Sequence, residues 1–142
     1  MATLERAIEI AARAHAGQRD KAGAPYILHP LRVMLRVQTE TERIAAVLHD
    51  VVEDSAWTLD QLRAEGFAPD VLETIEALTR RPEESYEEFV LRAGAHPIAR
   101  RVKLADLADN TDPTRIAEPT EHDRARMERY RRAIALLTGP AP

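Results

Sequence analysis

The sequence contains no cysteine among its 142 residues. Disulfides, thiolate catalysis and cysteine-based zinc sites are therefore excluded, and His, Asp and Glu remain as the strong metal ligands. No apolar run approaches the roughly 18 residues that a membrane span needs. Glu5 and Glu9 lie where a signal peptide would have an uncharged core. We therefore expect a cytoplasmic protein that makes no use of a membrane.

Aromatic residues are also scarce, at 4% of the chain, whereas 44% of the residues are hydrophobic and 31% are charged. This composition is typical of a soluble globular domain and excludes disordered, collagen-like and disulfide-rich classes. A chain of this mass buries about 68% of its unfolded surface on folding, which is enough for a core of its own. We expect one domain over residues 1–142, because a second full-sized domain does not fit.

Basic residues are fewer than acidic ones, at 20 against 24, and the charge is distributed unevenly along the chain. The formal net charge is −4, with +3 over residues 1–38, −10 over 39–90 and +3 over 91–142. A general nucleic-acid binder needs an excess of cations to neutralise phosphates, so we expect no nucleic-acid partner. The pattern suits a small phosphorylated ligand held beside metal-binding carboxylates. Ordinary solvated helix faces would give the same pattern.

Alternating polar and apolar runs long enough for a strand are missing, while helix signals are plentiful. Capping boxes begin at Thr39, Thr58 and Ser85, and further helix starts are predicted at prolines 30, 69 and 97. These signals predict an all-α helical bundle of about seven or eight helices.

The last predicted helix is basic and amphipathic. Its apolar stripe is formed by Met127, Tyr130, Ile134 and Leu137, and Gly139 with Pro140 should end it. Such a helix could bind a membrane or a partner. Because Glu128 interrupts its basic face and the apolar stripe is continuous, we expect it to dock on its own domain.

An ionisable cluster interrupts the third predicted helix, in the segment IAAVLHDVVED. At 100° per residue, His49, Asp50, Glu53 and Asp54 share one face. The apolar residues before them indicate a buried helix, in which adjacent acids are unfavourable unless a cation compensates them. This segment therefore favours a metal site, although a capped and salt-bridged helix pair is an alternative.

The helix after Pro97 also carries polar residues within an apolar sequence. Lys103, Asp106 and Asn110 lie at i, i+3 and i+7 among apolar residues. Facing helices can build a site from such stripes, and His29 adds a second imidazole. The set His29, His49, Asp50 and Asp106 suits one first-row divalent ion. Ligand type alone does not separate Mn²⁺ from Fe²⁺, Ni²⁺ or Zn²⁺.

Three ordered motifs, KAGAPYILHP, LHDVVEDS and KLADLADN, resemble those of the HD-type hydrolase domains of RelA/SpoT proteins and their small stand-alone relatives. The resemblance covers about Ala11 to Asn110. It implies an all-α, HD-domain helical bundle and a metal-dependent phosphohydrolase that releases pyrophosphate from the 3′ position of the alarmones guanosine tetraphosphate and pentaphosphate. Metazoan members are similar in removing a phosphate from NADPH.

Carried over by position, the resemblance assigns roles to the residues of these motifs. It implies one metal ion, usually Mn²⁺, on His29, His49, Asp50 and Asp106. Glu53 and Asp54 match the acidic pair beside the bound water and are our candidate catalytic residues. As candidate substrate-binding residues we take basic and polar side chains within or just before the motifs, namely Arg19, Lys21, Tyr26, Lys103 and Asn110.

The chain departs from the family pattern near the nucleotide. Asp20 stands before Lys21 where an arginine commonly faces guanine, with Arg19 displaced by one position. Leu107 and Asp109 replace a common Arg and His, and Pro113 replaces a threonine. We expect these changes to touch the nucleotide pocket and to spare the metal ligands. Alternatives are a phosphatase of another nucleotide, such as NADPH, and a non-catalytic metal-containing nucleotide sensor; a homo-oligomer stays open.

Overall fold

The computed structural model describes residues 2–139, and the predicted Pro140 stop lies outside them. Within that range the chain forms nine α-helices and one 3₁₀ turn at Pro113–Arg115, with no strand beyond an isolated bridge between Arg19 and Pro25. The all-α prediction is confirmed. The helices are α1 (Leu4–Ala14), α2 (Leu28–Arg36), α3 (Glu40–Leu48), α4 (Val51–Asp54), α5 (Leu59–Ala64), α6 (Pro69–Ala77), α7 (Tyr86–Gly94), α8 (Pro97–Asn110) and α9 (Glu121–Thr138).

Local capping chemistry sets most helix starts. The three predicted capping boxes open α3, α5 and α7, where Thr39, Thr58 and Ser85 each accept a hydrogen bond from the backbone N–H three residues later. A fourth box, between Thr120 and Asp123, opens α9. This box was not predicted, because Asp replaces the usual Glu or Gln.

The segment IAAVLHDVVED is not one continuous helix, so that prediction is wrong. Helix α3 ends at Leu48 and α4 begins at Val51. The His49 N–H donates to the Ala46 carbonyl at 3.4 Å, and the same carbonyl accepts from His49 Nδ1 at 2.5 Å. A side chain that competes for a helix carbonyl tightens and ends the last turn. Helix α2 also differs, since it begins two residues before Pro30.

Helix α3 lies at the centre of the main core. It packs against α1, α2, α6 and α8, and the run from Ala45 to Leu48 is fully buried. A second cluster joins α7, α8 and α9 through Val90, Leu107, Ala133 and Leu137. The predicted docking of the last helix on its own domain is therefore confirmed. Because α3 and α8 are in contact, their polar residues are brought together.

None of the helices within residues 2–139 combines the length and the apolar character that crossing a bilayer requires.

Leucine truncation tests the second cluster. Leu107 is fully buried, whereas Leu35 is 71% exposed. We expect Leu107→Ala to lower the free energy of unfolding by about 3 kcal/mol through lost transfer energy and a residual cavity. Leu35→Ala should change it by less than about 0.5 kcal/mol. Urea denaturation followed by circular dichroism measures both values, and equal losses would contradict this packing.

Candidate active site

Four predicted metal ligands converge where α2, α3 and α8 meet. Asp106 Oδ1 lies 2.8 Å from His29 Nε2 and 3.3 Å from His49 Nε2. Asp50 Oδ2 lies 3.2 Å from His49 Nε2 and 3.9 Å from His29 Nε2. The group His29, His49 and Asp50 meets the spacing of a metal site, with one donor atom from each residue within 4.8 Å of the others. We call His29, His49, Asp50 and Asp106 the His-Asp cluster.

The outer nitrogen of each imidazole is already committed as a donor. His29 Nδ1 lies 2.6 Å from Asp109 Oδ2, and His49 Nδ1 lies 2.5 Å from the Ala46 carbonyl. Both partners are acceptors, so each Nδ1 carries hydrogen, and Nε2 is the ring nitrogen that faces the carboxylates. A positive charge at this point, either a proton on the ring or a metal ion bound to the neutral ring, compensates the carboxylate oxygens. The donor set therefore fits a divalent metal ion.

Electrostatics confirm that the cluster attracts positive charge. Burial alone would lower the pKa of His49, but the carboxylates of Asp50 and Asp106 outweigh it and raise that pKa to about 9. The pKa of His29 is also raised, since hydrogen bonds to Asp106 and Asp109 outweigh burial. Burial opposes ionisation of Asp106, yet Lys103 and the two imidazoles hold its pKa well below the ordinary value.

Three predicted substrate-binding residues contact the carboxylates of the cluster. Tyr26 donates its hydroxyl hydrogen to Asp50 Oδ2. Lys103 Nζ donates to Asp106 Oδ2 at 2.9 Å, and Asn110 Nδ2 donates to Asp106 Oδ1 at 3.3 Å. All three side chains line a cleft of about 640 Å³, which His29, Asp50 and Asp106 of the cluster also line, while His49 lies buried behind them. Tyr26, Lys103 and Asn110 lie beside the cluster and within reach of a ligand in the cleft.

The predicted acidic pair follows the cluster on α4. Glu53 lines the cleft, and its Oε1 accepts the Arg80 backbone N–H at 2.6 Å. Glu53 and Asp54 are both exposed, but Asp54 is not part of the cleft wall. Partial desolvation by the surrounding atoms and the neighbouring Asp50 raise the pKa of both carboxyls above their ordinary values. A carboxyl with a raised pKa beside a metal site is suited to proton transfer, and Glu53 is the better placed of the two.

One side of the cleft is the loop between α1 and α2, which carries Arg19 and Lys21. Arg19 Nη1 donates to the Gly23 carbonyl at 2.9 Å, and the exposed Lys21 lines the cleft. The loop turns at Gly23, whose φ of +86° lies in the left-handed region. Asp20 Oδ1 accepts the N–H groups of Ala22 and Ala24 and so fixes the turn.

A second side of the cleft is cationic and aromatic. The Arg129 guanidinium lies 4.9 Å from the Tyr86 ring centroid and 5.7 Å from that of Tyr130. Lys103 Nζ lies 5.0 Å from the Phe89 centroid. These contacts hold the cations against aromatic rings by cation–π attraction, and Lys103 also donates to Asp106. We call the arginines on this side, Arg80, Arg126 and Arg129, the cationic rim.

Sequence reasoning missed most of this second wall. Arg80 was not among the candidate substrate-binding residues, and Tyr130 was interpreted only as part of the apolar stripe of the last helix. Two signals were available. Tyr86 and Phe89 lie at i and i+3 directly after a capping box, and Arg126, Arg129 and Tyr130 share one face of α9 at i, i+3 and i+4.

Some of the residues that depart from the family pattern do not lie at the nucleotide pocket, where we expected them. Asp20 does line the cleft, where it pairs with Arg115 at 3.1 Å. Leu107 belongs to the second core cluster. Asp109 is fully buried and bonds the ring of His29. The prediction that these changes touch the nucleotide pocket and spare the metal ligands is wrong for Leu107 and Asp109, because successive positions on α8 face different neighbours.

Buried charges compensate one another around Asp109. Burial opposes its ionisation, but hydrogen bonds from His29 and Arg32 lower its pKa to about 2. Arg115 Nη1 also donates to Asp109 Oδ2 at 3.0 Å. The carboxylate is therefore ionised over the physiological pH range and stays an acceptor for the His29 ring.

Comparison with known proteins gives consistent matches over nearly the whole chain. A family model described as an HD domain matches residues 7–136. Guanosine-3′,5′-bis(diphosphate) 3′-pyrophosphohydrolase MESH1 of Mus musculus is 33% identical over 91% of this chain and 79% of its own length; the Homo sapiens protein is 34% identical over the same shares. A solved structure of a metazoan ortholog of SpoT that hydrolyses ppGpp aligns with a TM-score of 0.80 at 26% identity, covering 98% of this chain and 87% of that one.

Longer bacterial proteins match as well. The guanosine-3′,5′-bis(diphosphate) 3′-pyrophosphohydrolase of Aquifex aeolicus is 33% identical over 75% of this chain. The chain spans only 17% of that protein's length. The match to the HD-domain model and the coverage of the MESH1 proteins nevertheless agree on one assignment. The chain belongs to the HD-domain family and is related to the RelA/SpoT-type proteins and the small stand-alone MESH1 proteins.

Proposed function

We propose that residues 1–142 form a single HD-type, metal-dependent phosphohydrolase domain that releases pyrophosphate from the 3′ position of guanosine tetraphosphate or pentaphosphate. One observation carries the proposal. Three residues of the His-Asp cluster, His29, Asp50 and Asp106, line the same cleft as the cationic rim. The activity named for the MESH1 relatives supports the choice of reaction. The cytoplasmic location and the oligomeric state stay predictions.

His29 Nε2, His49 Nε2, Asp50 Oδ2 and Asp106 Oδ1 would hold the metal ion, and we propose Mn²⁺. A divalent ion in such a site lowers the pKa of its bound water and neutralises charge on phosphoryl oxygens. Tyr26, Lys103 and Asn110 orient the two carboxylates by hydrogen bonds to Asp50 and Asp106. The protein thereby fixes the donor geometry before substrate enters.

Glu53 is the proposed proton acceptor. Its Oε1 is fixed by the Arg80 N–H, which leaves Oε2 to take a proton from the attacking water. Its raised pKa suits a group that accepts a proton and then passes it to the leaving group. Asp54, which is exposed beside the cleft, orients Glu53 or the water. The position of Glu53 in the cleft favours an enzyme over a sensor.

The substrate would lie between the two walls of the cleft. Lys21 and the cationic rim supply charge-assisted donors for phosphate oxygens. A volume of about 640 Å³ is in the range of small-molecule sites. Asp20 is occupied by Arg115, so the base meets an ion pair where the family presents an arginine. That observation favours a second candidate, a phosphatase of another nucleotide such as NADPH.

Metal binding is the first test. We expect one Mn²⁺ per chain, measured by elemental analysis and by competition with a chromophoric chelator. His49→Gln removes one Nε2 ligand and should weaken Mn²⁺ binding by more than about 100-fold. Losing a residue that only supports a ligand typically weakens metal binding by about 10- to 100-fold. His122→Gln alters an exposed histidine outside the cleft and should bind like wild type. Equal affinities for wild type and His49→Gln would contradict the assigned site.

Turnover is the second test. With Mn²⁺, wild type should release pyrophosphate from guanosine tetraphosphate, and Asp50→Ala should release none because the cluster loses a carboxylate. Phosphate release from NADPH and common nucleotides is measured in parallel. Turnover of NADPH alone would favour the second candidate. Wild type and Asp50→Ala that behave alike on every compound would overturn the enzymatic proposal, and tight nucleotide binding without turnover would indicate a sensor.

The cationic rim predicts a separate effect on substrate binding. Arg129→Gln removes one charge-assisted contact, and we expect KM to rise about 10-fold, corresponding to about 1.4 kcal/mol. Arg131→Gln lies on the same helix, is exposed and pairs with Glu128, so its KM should equal that of wild type. Steady-state kinetics measure both KM values, with whichever nucleotide the turnover experiment identifies as the substrate. Equal KM values for the two variants would contradict the role of Arg129.

A further inference from the structure

Asp109 has no exposed surface, yet it is one of the most heavily bonded carboxylates of the described chain. Its Oδ2 accepts from His29 Nδ1 at 2.6 Å and from Arg115 Nη1 at 3.0 Å. Its Oδ1 accepts from Arg32 Nε at 2.7 Å. A buried carboxylate is costly unless it is paired in this way. The site is therefore built to keep an anion next to the ring of His29.

The spacing on α8 lets one helix hold both nitrogens of the same imidazole. Asp106 and Asp109 lie at i and i+3, on one face. Asp109 Oδ2 is 2.6 Å from Nδ1 of His29, and Asp106 Oδ1 is 2.8 Å from Nε2 of that ring. The hydrogen on Nδ1 fixes the tautomer, and the two contacts together fix the rotation of the ring.

We propose that Asp109 is a positioning residue for the metal site: it holds His29 in the tautomer and orientation that present Nε2 to the ion. The inference rests on the proposed function only in assuming that His29 is a ligand. A carboxylate bonded to the outer nitrogen of a ligating histidine fixes the ring and increases its basicity as a ligand. Asp109 touches neither substrate nor metal in this role.

Arg115 extends this arrangement to the loop that carries Lys21. Its Nη1 bonds Asp109 and its Nη2 bonds Asp20 Oδ2 at 3.1 Å. Asp20 in turn holds the N–H groups of Ala22 and Ala24. The same arginine thus has two carboxylate partners, and only one of them contacts a metal ligand. That difference provides a matched control.

The experiment compares Asp109→Asn with Asp20→Asn. Each variant removes one negative charge beside Arg115 and keeps the shape of the side chain. The Mn²⁺ dissociation constant is measured without substrate, by chelator competition. We expect Asp109→Asn to raise it by about 10- to 100-fold, as is typical when the carboxylate behind a ligating histidine is lost. We expect Asp20→Asn to stay within about twofold of wild type, since the contact between Asp109 and His29 is kept.

Circular dichroism and urea denaturation establish that each variant is folded at the temperature of the titration. If Asp109→Asn binds Mn²⁺ as wild type does, the proposal is overturned. If both variants weaken binding equally, the effect belongs to the charge of the network and the proposal is likewise overturned.

A second measurement tests the proposal on the wild-type protein, so it does not depend on the folding of a variant at position 109. Wild type labelled with ¹⁵N-histidine is loaded with diamagnetic Zn²⁺, and the His29 signals are identified by their loss in His29→Gln. We expect a hydrogen on Nδ1 of His29 that is protected from solvent exchange, with Zn²⁺ on Nε2. Coordination through Nδ1, or an Nδ1 without hydrogen, would overturn the proposal.

The outcomes separate this inference from the proposed function. Metal affinity is measured without substrate, so a protein that binds Mn²⁺ and turns over none of the nucleotides would overturn only the proposed reaction. A wild type that turns over nucleotide, together with an Asp109→Asn variant of unchanged metal affinity, would overturn only the role of Asp109. A wild type that binds no metal would overturn both.

Discussion

The clamp on the His29 imidazole is the interaction on which the rest of the site depends. Helix α8 contacts both ring nitrogens, through Asp106 and Asp109, and thereby ties α2 to the centre of the domain. His49 then approaches the same Asp106 oxygen from the end of α3. Three helices that are distant in sequence are joined by acceptors and donors that a hydrocarbon core could not satisfy alone. The polar centre therefore positions these helices as well as forming the cluster.

The acidic and basic segments of the chain contribute different residues to the same cleft. The acidic middle segment supplies Asp50 and Glu53 at the floor of the cleft, whereas the basic flanks supply Lys21 on one wall and Arg129 on the other. Carboxylates and cations thus line the same cleft, and Lys103 pairs directly with Asp106 at 2.9 Å. Such a site attracts a ligand that has phosphate groups and accepts a cation beside them. The low aromatic content of the chain does not weaken this ligand site, because the few rings available, such as Tyr86, lie against the cations.

Much of the fold and the core of the site could be predicted from local pattern. Capping boxes gave the starts of α3, α5 and α7, and the polar stripe of α8 indicated that Asp106 faces another helix. Contacts that depend on tertiary packing could not be predicted. Arg129 lies 43 residues from Tyr86 in sequence, and nothing local reveals that they meet. Asp109 differs again, because the resemblance placed it near the nucleotide, and only the packing of α2 on α8 shows its contact with His29.

The break between α3 and α4 lies at the two consecutive residues that serve one centre. His49 and Asp50 both keep right-handed helical backbone angles, with φ of −60° and −98°, and their donor atoms, Nε2 and Oδ2, lie 3.2 Å apart. Adjacent donors need almost no loop closure to meet, whereas His29 and Asp106 are 77 residues apart in the chain. The entropic cost of assembling the site therefore falls mainly on the packing of α2 and α8 against this short segment.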